Sequence, residues 1–218
     1  NLGPLVSTDM TRCIHCTRCV RFGAEIAGIQ ELGTLWRTEN MEIGTYIEKS
    51  VDHELSGNII DLCPVGALNN KPYRYSARAW EMVAKPLVGA HDCAGSNLYA
   101  HVLRGQLRRI VPRDNEDINE TWISDRDRFS CYGIYSSDRL QRPLVKKNGQ
   151  WSEVPWQDAL AVARDALRDA AGEGGDGLGV LASPNSTVEE LYLLNRIARH
   201  LRSSNIDHRL RRPDLPHQ

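Results

Sequence analysis

Three cysteines stand at two-residue spacing in Cys13-x-x-Cys16-x-x-Cys19, and a fourth, Cys63, is followed directly by Pro64. The first three let one loop wrap around a single polymetallic body, because each two-residue step turns the backbone enough to aim the next sulfur inward. That spacing marks a [4Fe–4S] cluster. In two-cluster bacterial ferredoxins the next cysteine serves the other cluster, and here that position is Gly23. The fourth ligand must then come from elsewhere, and Cys63 fits, with Pro64 turning the chain away behind it. Cys13, Cys16, Cys19 and Cys63 make one complete ligand set for one cluster.

Zinc is the competing occupant and would make the segment a zinc-stabilised interaction module. Zinc commonly takes two separate Cys-x-x-Cys knuckles on opposite sides of the ion, a geometry that three overlapping cysteines suit poorly. His15 lies inside the loop, but four thiolates leave it no ligand position. Arg12, Arg18 and Arg21 flank the ligands, where they can offset the negative charge of a four-thiolate cluster and raise its potential; a solvated loop would carry the same residues. Ile14, Val20, Phe22 and Ile60 are expected to exclude water.

The elements that must position this set belong to a chain of 218 residues, long enough for one large or two small domains with their own cores. Its 27 Lys and Arg balance 28 Asp and Glu, so no basic field argues for nucleic acid. No apolar run approaches the ~18 residues of a membrane span, and no signal-peptide core opens the sequence. Six cysteines, three of them crowded into residues 13–19, do not form a disulfide framework and point to ligation in a reducing compartment. The opening "NLGPLVSTD" reads as extended loop, and its start at Asn1 suggests a fragment or a processed chain.

Val20–Ala27 has helical periodicity with Gly28 able to end it, and residues 32–48 alternate as a hairpin turning near Glu39-Asn40. A short helix from about Ser56 should stop at Pro64. "NLYAHVLRGQLRRIVPR" alternates on both sides of Arg104-Gly105 as a second hairpin, and "NETWISDRDRFS" follows as a polar helical stretch. Beyond Pro155 the period becomes helical, with Trp156, Leu160, Ala163 and Leu167 on one face. "AGEGGDG" reads as a solvent connector and lacks the Gly-Lys-Ser/Thr of a phosphate loop. A strand, "LGVLAS", precedes a helix opened by a capping box at Ser186-x-x-Glu189, with Val188, Leu191, Leu194, Ile197, Ala198 and Leu201 as its apolar stripe. "NIDHRL" would then start the next strand of a parallel α/β domain.

The segments "GPLVSTDMTRCIHCTRCVRFGAEIAG", "EIGTYIEKSVDHELSGNIIDLCPVGAL" and "GSNLYAHVLRGQLRRIVPRDNEDINETWISDRDRF" resemble the large iron–sulfur subunit family of bacterial NADH:quinone oxidoreductase, respiratory complex I. The likeness runs on through "STVEELYLLNRIARHLRSSNIDHRLR". It implies an α+β fold in three parts: a ferredoxin-like [4Fe–4S] module over 1–78, a degenerate molybdopterin-oxidoreductase iron–sulfur module over 85–142, and the start of an α/β domain over 143–218. It carries the family's cluster ligands onto Cys13, Cys16, Cys19 and Cys63. The family's upstream segments, with their further clusters, have no counterpart in this sequence. The implied role is an electron relay between a flavin-containing NADH-oxidising subunit and downstream iron–sulfur subunits. The subunit would lie peripherally on the cytoplasmic side of the bacterial inner membrane, as part of an enzyme but without a catalytic site in this segment.

The second part resembles the domain that opens molybdopterin oxidoreductases, whose pattern is Cys-x-x-Cys-x-x-x-Cys with a distant fourth cysteine. Those positions fall on Ala90, Cys93, Asn97 and Cys131, so two of four ligands survive and no second cluster is expected. The lysine that often follows the fourth cysteine is replaced by Tyr132-Gly133-Ile134, and no molybdopterin is expected. The alternative within this resemblance is the cluster-bearing part of a molybdopterin-dependent formate dehydrogenase, against which Ala90 and Asn97 stand.

Overall fold

The computed structural model describes residues 2–46 and 50–208. Its contacts separate two compact units, Asn1–Tyr135 and Ser136–Gln218; the first expected part and residues 85–135 of the second fall in one unit, and residues 136–142 in the other. Among the described residues no helix is long and apolar enough to cross a membrane.

In the first unit β1 (Val6–Thr8) lies where a loop was expected. Its partner is more than sixty residues away, so no local periodicity announces it. The helix after the cysteine loop has two parts: α1 (Arg18–Arg21) runs directly into a π-helical turn, Phe22–Ala27, which Gly28 ends at φ 69°. A side chain at Gly23 would press within 2.9 Å of the Ile29 carbonyl, so this turn requires glycine where a cysteine would otherwise continue the series. The expected hairpin forms as β2 (Leu32–Leu35) and β3 (Glu42–Thr45), with a 3-10 turn at Thr38–Asn40 between them; Ile47 and Glu48 lie outside the described residues. The short helix is α2 (Asn58–Leu62), with Cys63 already extended before Pro64. β4 (Leu68–Asn70) closes the segment antiparallel to β1. Val6, Phe22, Leu32, Ile43, Val51, Ile59 and Leu68 form its core.

The second hairpin forms as expected and gains a strand: β5 (Val83–Val88) pairs with β6 (Asn97–Leu103), which pairs with β7 (Gln106–Pro112). Arg104 and Gly105, both at positive φ, make its turn. The polar stretch at 119–130 is helical only over α3 (Asp125–Phe129), because Ser124 caps it by accepting the Asp127 N–H at 3.1 Å and Asn119 organises the preceding residues as a turn. Leu98, Ile110, Ile123 and Cys131 are buried together beneath this sheet.

The second unit opens with β8 (Leu144–Lys147) and β9 (Gln150–Glu153), joined by Asn148-Gly149 at φ 50° and 82°. Asn-Gly is a strong hairpin signal, and the alternation on either side of it is too short to have marked these strands in advance. α4 (Trp156–Ala171) follows Pro155, and β10 (Gly179–Leu181) pairs in parallel with β11 (Asn205–Asp207) across α5 (Val188–His200). This is the expected start of an α/β arrangement; Arg209 and Leu210 of the last expected strand lie outside the described residues. The capping box sits one residue later than expected. Thr187 accepts the Glu190 N–H at 3.2 Å while Glu190 accepts the Thr187 N–H at 2.8 Å. Consecutive Ser186-Thr187 and Glu189-Glu190 satisfy the pattern in both registers, so composition could not choose. Thr187→Ala should lower the stability of this unit by about 1 kcal/mol, read as a lower denaturation midpoint with faster exchange of the Glu190 amide.

Candidate metal centre

The four predicted ligands come from two places that β1 and β4 hold together. Asp9 N–H donates to the Ala67 carbonyl at 2.7 Å, and Arg74 pairs with Asp9 at 2.6 Å, so the chain entering the cysteine loop is tied to the chain leaving Cys63. Within the loop His15 and Thr17 adopt φ 54° and 61°, left-handed turns that bring successive cysteines to one side.

Cys13, Cys16, Cys19 and Cys63 line one cavity, walled by Met10, Ile14, Ile43, Val65, Ala67 and Leu68 among others. The wall is apolar, as a site that excludes water requires. Two of the sulfurs already accept backbone donors: His15 N–H reaches Cys13 Sγ and Leu68 N–H reaches Cys63 Sγ, each at 3.4 Å. All four thiols are free, and burial pushes the Cys19 thiol up to about 11, with Cys16 and Cys63 close enough to oppose its ionisation further. Bound metal would reverse that balance and hold the thiolates.

Among the described residues no three His, Cys, Asp or Glu side chains converge as they would on a single metal ion. A lone zinc would draw each sulfur to about 2.3 Å, whereas a polynuclear cluster offers each sulfur its own iron. Four cysteines at this spacing on one largely apolar wall fit a [4Fe–4S] cluster.

Of the flanking residues, Phe22 is buried, while Ile14 is 60% exposed and shields less than expected. Its position on the cavity wall turns one edge inward and leaves the rest to solvent. His15 lines a neighbouring open groove rather than this cavity. Arg12 and Arg18 are exposed, and Arg21 is engaged with Glu25 at 3.0 Å.

The positions of the second motif are differently disposed. Cys93 is exposed, and Cys131 is buried in the apolar core with its Sγ donating to the Arg128 carbonyl at 3.8 Å. Burial raises the Cys131 thiol and pushes the neighbouring Tyr132 phenol up to about 12. The Asn97 side chain is engaged with the Gly95 carbonyl at 3.2 Å.

A further set of residues behind the first site has no signature in the sequence. Asn58, Asp61, Asp125 and Arg128 join α2 to α3 through polar contacts in which Asn58 and Arg128 are buried, Asp125 is half-buried and Asp61 lies at the surface. Partners almost seventy positions apart leave no spacing signal. α3 lies in the stretch read as polar and helical, and its Arg128 is only 1% exposed.

Fold and cysteine set together define a ferredoxin-like iron–sulfur segment followed by molybdopterin-oxidoreductase-like sequence. Three family profiles match in that order: NADH-quinone oxidoreductase subunit 3, ferredoxin-like domain, over residues 3–69; NADH-ubiquinone oxidoreductase NDSU1/NuoG-like, 4Fe-4S domain, over 87–132; and molybdopterin oxidoreductase over 139–218. The chain is 44% identical over 204 residues to the G subunit of NADH-quinone oxidoreductase from Rickettsia conorii, covering 94% of this chain and 30% of the relative. It is 46% identical over 206 residues to the NADH-ubiquinone oxidoreductase 75 kDa subunit of Reclinomonas americana, covering 94% and 29%. Over 94% of its length the chain is thus similar to these NADH-quinone and NADH-ubiquinone oxidoreductase subunits, and it spans about three tenths of the length of these curated relatives.

Proposed function

We propose that this chain is an electron-relay segment of an NADH:quinone oxidoreductase, holding one [4Fe–4S] cluster on Cys13, Cys16, Cys19 and Cys63. The observation that carries the reading is the presence of all four cysteines on the wall of one largely apolar cavity. When bound, the cluster supplies one-electron transfer without a bond-making step. The protein's part is to orient the thiolates, donate the His15 and Leu68 amides to two of them, and keep water from the inner wall.

On this reading residues 1–78 form the cluster module, 85–142 a degenerate second module without iron, and 143–218 the start of a scaffold domain without molybdopterin. Electrons enter from the flavin-containing NADH-oxidising side and leave toward further iron–sulfur subunits and quinone. The segment is peripheral, on the cytoplasmic side of the bacterial inner membrane. The burial of Cys131 and the engagement of Asn97 support an empty second module. They also count against a formate dehydrogenase part, which would need that cluster beside its pterin.

The test is iron and acid-labile sulfide content after anaerobic reconstitution, with EPR of the dithionite-reduced protein. The expected result is about four irons and one reduced [4Fe–4S] signal per chain, with both values unchanged in Cys93→Ser/Cys131→Ser. About eight irons would overturn the single-cluster reading. Zinc without iron would replace the relay by a structural module.

A further inference from the structure

α2 delivers the remote ligand: Cys63 follows its last residue, Leu62, directly. The chemistry that fixes α2 comes mainly from α3, a part of the sequence that matches a different family profile. Arg128 on α3 is 1% exposed, and its Nη2 donates to Asp61 Oδ2 at 2.6 Å and to Asn58 Oδ1 at 3.3 Å. Asp125 accepts the Gly57 N–H at 2.6 Å and the Ser56 hydroxyl at 2.5 Å, at the start of the same helix. A Cβ on Gly57 would lie 2.6 Å from Asp125 Oδ1 and 2.7 Å from Arg128 Cδ, so the two helices meet with no room for a side chain.

A buried guanidinium is costly unless paired, and removing one partner strands the other. Arg128 and Asp61 therefore hold each other, and Asp61 stands two residues before Cys63. The same stretch of chain places Cys131 in the core. Where the second motif has lost two of its cysteines, α3 instead presents charged side chains to the helix that carries the first motif's last ligand.

We infer that Arg128, paired with Asp61, is a positioning residue for Cys63: it fixes the remote cluster ligand and sets the charge beside it. This rests on the cluster reading above. Outer partners of metal ligands typically change metal affinity or activity 10- to 100-fold when lost. A structural effect alone would weaken cluster retention, whereas a charge effect must also have a sign. Loss of the Arg128 cation should lower the reduction potential, and loss of the Asp61 carboxylate should raise it, because reduction adds negative charge to the site.

The experiment uses the whole 218-residue chain with a reconstituted cluster, comparing Arg128→Met, Asp61→Asn and, as a control on the exposed face of α3, Arg126→Met. Iron release to a chelator and the EPR-monitored midpoint potential are measured for each. The expected result is release roughly 10–100 times faster in Arg128→Met, with potentials displaced in opposite directions in Arg128→Met and Asp61→Asn, and no change in Arg126→Met. Release within twofold of the parent, or potentials unmoved or moved together, would overturn the inference. If Arg128→Met fails to fold, Asp61→Asn and Arg128→Lys decide it, the lysine keeping the potential and the asparagine raising it. Failure of the parent to bind iron, or full iron in Cys63→Ala, would instead overturn the cluster reading.

Discussion

Cys63→Ala should reduce the reconstituted chain from about four irons to fewer than one, with loss of the visible cluster absorption and of the reduced EPR signal. Its three partner cysteines belong to one short loop, and only Cys63 arrives from the other side of the cavity. Without it the loop has no opposing ligand, and the left-handed turns at His15 and Thr17 must hold three thiolates against solvent unaided. The variant should nevertheless fold, because Leu68 keeps its place in the β1–β4 pair and its amide merely loses a sulfur acceptor. Iron analysis and a thermal melt of the metal-free protein separate the two effects. Four irons retained in a folded variant would show that another group is the fourth ligand.

The second large effect belongs to Asn58. Its side chain is 1% exposed and makes four contacts: Nδ2 donates to the Leu55 and Ile123 carbonyls, each at 2.9 Å, while Oδ1 accepts the Ile123 N–H at 3.1 Å and Arg128 Nη2 at 3.3 Å. Asn58→Ala would strand the buried Ile123 N–H and carbonyl, while the Leu55 carbonyl keeps the Asn58 backbone N–H and Arg128 keeps Asp61. At roughly 1–3 kcal/mol for each group left without a partner, the expected loss is about 3–5 kcal/mol, a large share of a typical domain's stability. Urea unfolding of the metal-free chain measures the loss, and hydrogen exchange at the Ile123 amide locates it. A change below about 1 kcal/mol, with Ile123 still protected, would mean that water takes the place of the side chain.

Much of the candidate site was legible because it is local. Three cysteines at two-residue steps and a cysteine before proline carry their geometry in their spacing, and Arg104-Gly105 between alternating runs carries its turn. The misses share a different cause. Val6–Thr8 looks like loop until Leu68–Asn70 is placed beside it. Arg128 looks like a surface residue of a polar helix until Asp61 and Asn58 are brought to it. Ile14 looks like shielding by its type, yet the loop's curvature leaves most of it in solvent. Period and composition report what a residue does to its neighbours in sequence. They are silent about a partner that the fold supplies.

The pairing of β1 with β4 also sets a timetable. Val6 meets Asn70, and the helix before Cys63 meets residues 123–128, so the cavity walls, all between Met10 and Leu68, exist before the contacts that brace that helix. At ~5–20 residues per second of synthesis, Cys19 and Arg128 leave the ribosome roughly 5–20 s apart. Until Cys63 follows, 44 residues after Cys19, three closely spaced thiols are available to oxidants and to stray metal ions without the ligand that completes their set. On the cluster reading, a cluster inserted before residues 123–128 arrive would sit on a Cys63 whose helix is not yet braced.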